Sequence, residues 1–346
     1  MEKAVLNARQ HRDMDVNYWA SLLHAMYLSN SVSMVRDTFH FIVEELGLKP
    51  TVDMFSEYCE CTFRHTLDTA MHWLLENDPS KQTAVQTLNG RIPPDISMIR
   101  ECKEAISLAA KCGVQLDTNS YNYLLLSLAR SRNYDEMRAL LTELKTNQQF
   151  KMNSYGYLAQ IIVVANSENL GDKRRNILRD IATIAKNSLM ERAQTYLYEE
   201  LLCSYAMLGD ESQLESLTNE MKSKNIEPTA LHRTMLSFDV NKESADRLMQ
   251  VLQKHWPSKL DHRYYQIYFL ICMLDMVRRG ELSIEVNAPF ADQPKQPQPQ
   301  QQKQQQEERL ELMKKQTTKA LNQCSQVFYA WSDNVLDLWT YLLAYY

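Results

Sequence analysis

Apolar positions recur along this chain at the spacing of one helical face, interrupted by short polar turns, and the alternation returns about every 35 residues. It is clearest between Thr195 and Thr229. Tyr198, Leu201, Leu202, Tyr205 and Leu208 share a face, Gly209-Asp210 breaks it, and Leu214, Leu217 and Met221 mark a second amphipathic helix. Asn225-Ile226-Glu227-Pro228-Thr229 then closes the unit with a proline stop. The same arrangement runs from Thr118 to Lys151, with apolar Tyr121, Leu124, Leu125 and Leu128, a turn at Arg132-Asn133, and then Met137, Leu140, Leu141 and Leu144. A third copy spans Asn17 to Thr51 and ends in Gly47-Leu48-Lys49-Pro50-Thr51. Cys102 to Asp117 reads as a second helix closing at Gly113. Shortened copies are expected from Val52 to about Pro79 and from Ala230 to about Trp256, while Met152 to Gln194 is longer and holds a loop near Asn166 to Lys173. A two-helix unit of this size cannot bury its apolar face alone, so its recurrence implies stacking.

The predicted class is all-α: an α-solenoid of antiparallel helix pairs with a helical C-terminal extension. Residues 1–16 form an N-terminal cap and 17–256 the repeats. Residues 257–292 hold one helix, Tyr264 to Arg279, and an irregular segment. A Gln/Pro-rich linker follows at 293–306 and a helical arm at 307–346. With 7 Gly and 10 Pro in 346 residues and no alternating strand pattern, composition agrees. The longest apolar stretch, Tyr264 to Val277, contains Gln266 and Asp275 and reads as a buried helix, so no membrane partner is expected. Seven cysteines, an odd number with no secretory leader, point to a reducing compartment and free thiols.

Tyr121-Asn122-Tyr123-Leu124-Leu125 as an opening, and Glu220-Met221-Lys222-Ser223-Lys224-Asn225-Ile226-Glu227-Pro228-Thr229 as a closing, resemble the pentatricopeptide repeat family over about Asn17 to Trp256. The Trp-Leu-Gly-Tyr pattern of tetratricopeptide repeats is missing. The resemblance implies a right-handed superhelix that binds single-stranded RNA along a concave groove, each repeat reading one base. It implies mitochondrial localisation as well, although the N-terminus, with Glu2, Asp13 and Asp15, is no Arg-rich, acid-poor presequence. In the family the fifth residue of the first helix and the last residue of the repeat do the reading. Here those pairs are Asn122 with Lys151, Glu199 with Thr229, and Ser21 with Thr51. Asn122 keeps the family's type; Lys151, Glu199, Thr229 and Thr51 depart from it.

Charge limits the RNA role. With 38 Lys+Arg against 43 Asp+Glu, net −5, the chain lacks the broad basic footprint of a free-standing RNA binder. Lys173-Arg174-Arg175, at the start of a helix beside the inserted loop, is the most promising local basic spot. The tail carries Trp331, Leu338, Trp339, Tyr341 and Tyr345, expected to pack on a partner protein or to cap the stack. No C-x-x-C pair, deaminase signature or Gly-rich phosphate loop occurs. Cys59-Glu60-Cys61 is a poor clamp on a helix, and the eight histidines are scattered singly. The expectation is therefore a non-enzymatic protein without metal or cofactor, meeting RNA and protein subunits as a structural or assembly component of a mitochondrial ribosome or similar organellar ribonucleoprotein. Two alternatives share the architecture: a sequence-selective factor for organellar transcripts, and a purely protein-binding scaffold.

Overall fold

The computed structural model describes residues 14–29, 31–62, 96–146, 150–188 and 193–279. Every regular element among them is helical. By contacts the chain divides into two units, Met1–Asn77 with Arg91–Lys259, and Asp78–Gly90 with Leu260–Tyr346. Of the second unit the described part is one helix, His262–Arg278, preceded by Asp261, whose carboxylate accepts the Arg263 amide at 3.0 Å. The expected linker 293–306, the arm 307–346 and nearly all of the 1–16 cap lie outside the described residues, as does much of the copy beginning at Val52.

In the first unit the order begins with α1 (Val16–Leu28), α2 (Val32–His40, continued by a π-helical turn Phe41–Glu45) and α3 (52–62). Then come α4 (Ile96–Lys111), α5 (Thr118–Arg130), α6 (Tyr134–Lys145), α7 (Ser154–Ala165) and α8 (Lys173–Asn187). The series closes with α9 (Gln194–Leu208), α10 (Glu211–Ser223), the single turn α11 (Leu231–Thr234) and α12 (Lys242–His255). Starts are set by side-chain caps: Asp15, Asp117, Asn153 and Asn241 each accept an amide from the first turn of the helix that follows. Ends are set by one residue in the left-handed region, Gly47, Gly113 and Gly209 as the pattern of breaks predicts. Arg132 (φ 64) and Asn225 (φ 54) take the same conformation at the ends of α5 and α10, at a cost that glycine avoids.

Burial separates two kinds of helix. α5, α7 and α9 are enclosed almost all round, from Asn122 to Arg130, Ser154 to Ala165 and Leu197 to Ala206. α6, α8 and α10 bury one face each: Met137, Leu141 and Leu144; Leu178, Ala182 and Ala185; Leu214, Leu217 and Met221. α5 packs on α7 and α7 on α9, while α6, α8 and α10 lie against α5, α7 and α9 respectively. Polar contacts repeat with the sequence period. His24–Glu57, Tyr27–Glu60, Asn119–Asn153, Arg179–Asp210 and Lys186–Glu220 join residues 31 to 34 apart.

One segment departs from neighbour-to-neighbour contact. Where the shortened copy from Ala230 needs a first helix, the chain makes only α11 and a 3-10 turn, Met235–Ser237, before extending at Phe238. Its free carbonyls meet side chains from two earlier units. Arg132 donates to the Leu236 (3.0 Å) and Phe238 carbonyls, and the Tyr134 hydroxyl to that of Ser237 (3.2 Å). The Asn166 carboxamide accepts the Asp239 amide at 2.7 Å. The segment is a strap across the ends of α5 and α7.

Candidate functional site

Of the residues singled out for base reading, Ser21, Asn122 and Glu199 lie on α1, α5 and α9, and the last two are spent inside the protein. Asn122 is fully buried. Its Nδ2 donates to the carbonyls of Thr118 (2.6 Å) and Lys151 (3.1 Å), and its Oδ1 accepts the Asn153 amide at 3.3 Å. Gly156 makes this approach possible: a Cβ there would lie 2.1 Å from Asn122 Oδ1. Glu199 holds the equivalent place one copy later. Also fully buried, it accepts the Ala230 amide at 2.7 Å and lies 3.3 Å from the Thr234 hydroxyl. Each side chain ties its own helix to the backbone that leads into the element after next, Asn122 to Lys151 and Asn153 before α7 and Glu199 to Ala230 before α11. Neither side chain has exposed surface in this conformation.

The partners of those pairs behave differently. Lys151 and Thr229 are exposed, and they meet Asn122 and Glu199 through backbone atoms, the Thr229 amide helping to hold the Glu199 carboxylate. Ser21 is exposed and bonds its own helix at Asn17, while the Thr51 hydroxyl accepts the Met54 amide and caps α3. Of the basic spot, Lys173 is exposed at the start of α8. Arg174 donates to the Ala165 carbonyl (3.3 Å) at the end of α7, and Arg175 to the Leu208 carbonyl (2.8 Å) at the end of α9. A cation beside the negative end of a helix dipole is stabilising there, so both arginines hold turns as well as offering charge. Trp331, Leu338, Trp339, Tyr341 and Tyr345 lie outside the described residues.

Beneath these positions sits a buried ionic cluster that sequence patterns gave no sign of. Arg130 and Glu200 have fully buried side chains, joined from Nη2 (2.6 Å) and Nε (3.1 Å) to one carboxylate oxygen. The guanidinium also lies 5.0 Å from the Tyr196 ring centroid. Burial raises the pKa of Glu200, opposed by Arg130, and pushes Glu199 up to about 7 against the pull of the Ala230 amide and Arg130. The cluster spans two repeat lengths and couples α5 to α9.

No protein-family model matches this chain, and no curated protein matches it significantly. Beside the strap, a cleft of about 560 Å³ opens between Ile99, the turn from Arg132 to Arg138 and the loop from Asn166 to Asn169. Its cations are engaged: Arg132 holds the strap, and Arg138 bonds Asp135 (2.7 Å) and the Ser167 hydroxyl (2.7 Å). The lining offers amides and carboxylates for polar recognition. A second groove, of about 340 Å³, runs between α6 and α8 over α7 and is largely apolar, lined by Met137, Leu141, Val163, Val164, Leu170, Ile177 and Ile181, with Arg138, Gln160, Ser167 and Asn169 among them. Ile184 extends the α8 stripe with 48 % of its surface exposed. The seven-residue loop 166–172, in place of a two-residue turn such as Gly209-Asp210, contributes Ser167, Asn169 and Leu170 to its wall.

For metal ligation, the six cysteines among the described residues are free thiols, five of them buried. Burial raises the pKa of Cys59 and Cys203, which keeps those thiols protonated and poor ligands. His40, Glu44 and Glu104 do come together, with ligand atoms within 4.8 Å of one another. The sequence shows the first two one helical turn apart; Glu104 enters only through packing.

Proposed function

We propose that the chain is a non-enzymatic scaffold of pentatricopeptide-like helix pairs, stacked as a right-handed superhelix, that serves as a structural or assembly component of an organellar ribonucleoprotein such as the mitochondrial ribosome. The observation carrying this reading is the equivalence of Asn122 and Glu199. Two different polar residues at one repeat position perform one job, joining a first helix to the start of the next unit. That supports a repeat architecture and a tying rather than a base-reading role for both. RNA contact then falls to exposed points such as Lys151 and Lys173, which bind phosphate without reading sequence. The apolar groove over α7 favours protein neighbours as well, which is the ground for a purely protein-binding scaffold as second reading.

The test is affinity purification of the tagged full chain from mitochondria, with and without ribonuclease. Co-sedimentation with a large particle that ribonuclease disperses is the expected result. Recovery of a free chain, or exclusion from mitochondria, overturns the proposal. A particle indifferent to ribonuclease transfers the argument to the protein-binding scaffold.

A further inference from the structure

We propose that His40, Glu44 and Glu104 form a binding site for one divalent transition-metal ion of the zinc class, which fastens α2 to α4. The two helices face each other with matched charge at one level, where Arg36 Nη2 lies 2.8 Å from Glu101 Oε2. One turn further along, the match fails. Glu104 on α4 faces Glu44 and His40 from α2, and among the described residues no Lys or Arg is paired with Glu44 or Glu104. Two carboxylates converging on an imidazole, with no Lys or Arg paired to them among the described residues, form an arrangement that a divalent ion relieves.

The donor set suits that ion. One imidazole nitrogen and two carboxylate oxygens are ordinary zinc ligands, and three protein ligands leave one position for water. His40 already has the orientation a ligand needs, with its Nδ1 3.2 Å from Glu44 Oε1 and its Nε2 3.2 Å from the hydroxyl of the buried Tyr58. A metal-bound histidine usually donates its second ring N–H to an oxygen acceptor that fixes tautomer and ring angle. Here Nε2–H donating to the Tyr58 oxygen leaves Nδ1 for the metal. The π-helical turn Phe41–Glu45 follows His40 directly and carries Glu44, and such turns are frequent at functional sites. Ligand atoms around zinc sit roughly 3.4 Å apart at the usual bond lengths. Gathering them from within 4.8 Å requires only side-chain torsions of two glutamates at the surface.

The experiment uses the full chain stripped with a chelator and titrated with zinc sulfate, then with cobalt chloride as a spectroscopic probe. Expected are one equivalent bound, a higher melting temperature with zinc, and cobalt d–d absorption without a thiolate charge-transfer band. Glu44→Gln and Glu104→Gln, both at the surface and each removing one ligand, should each weaken binding by about tenfold or more. Their melting temperatures without metal should match the parent chain, which separates loss of a ligand from loss of the fold. Failure to bind zinc, a thiolate band, or undiminished binding in either variant overturns the proposal.

Discussion

Replacing Glu199 by Gln should flatten the pH dependence of stability between about pH 5 and 8. Glu199 is fully buried and takes one backbone amide at 2.7 Å. Burial raises its pKa from 4.5 to about 7. Between those values the native state holds a proton that the unfolded chain has released, so stability falls as pH rises through the window and levels off above it. A rise from 4.5 to about 7, at 1.36 kcal/mol per pKa unit, makes the loss roughly 3 kcal/mol. Glu200, raised in the same direction, adds to the slope, and Arg130 opposes it for both.

The glutamine variant keeps an oxygen for the Ala230 amide and an NH2 group to offer the Thr234 hydroxyl, but has nothing to ionise. It should gain on the parent chain as pH rises, by roughly 3 kcal/mol between pH 5 and pH 8. Urea unfolding followed by helical circular dichroism at both pH values measures the difference. Parallel stability profiles, with the variant losing as much as the parent, would refute the assignment of that proton to Glu199.

Other substitutions probe the remaining contacts. Arg130→Met strands the Glu200 carboxylate and should cost about 3–5 kcal/mol in denaturant unfolding, with most of it restored in the Arg130→Met/Glu200→Leu double variant; a double variant as unstable as the single one would contradict this. Gly156→Ala drives a methyl into Asn122 and should cost about 1–3 kcal/mol, but much less when Asn122 is already Ala. Additive costs in that cycle would place the strain elsewhere. Arg132→Gly relieves a left-handed backbone worth about 1 kcal/mol yet loses the strap. Stability should therefore rank parent above Arg132→Gly above Arg132→Ala, and a glycine variant more stable than the parent would show that the strap contributes little.

Helices and turns were legible because periodicity and punctuation are local. Gly113 and Gly209 end helices where the apolar face breaks, and Pro228 follows a helix stop as the pattern requires. The strap was not legible, since arginine is an unusual occupant of the left-handed position and its partners lie more than a hundred residues away. The inward turn of Asn122 is not legible in the sequence, for a chemical reason. An amide suits a base edge and a peptide backbone equally, so its role depends on how near the next unit approaches. Gly156, an isolated glycine inside an apolar helix, is the signal that could have settled it, because such a residue marks close approach. Glu104 shows the opposite limit: His40 and Glu44 are a visible pair, but only the packing of α4 brings it to them.

The long-range contacts bear on the proposed scaffold role. In a simple stack each repeat touches its neighbours alone, stability is a sum of neighbour terms, and curvature yields to the ligand. Here Arg130–Glu200 crosses two repeat lengths, and Arg132, Tyr134 and Asn166 hold a strap that belongs to a later copy. Contacts of that reach fix several repeats at once, so the relative placement of α5, α7 and α9 cannot adjust without breaking a buried ion pair. A flexible reader that winds along RNA needs the adjustability these contacts remove. A platform that presents a fixed surface to neighbouring subunits is served by their rigidity, and the proposed scaffold role rests on that distinction as much as on the repeat itself.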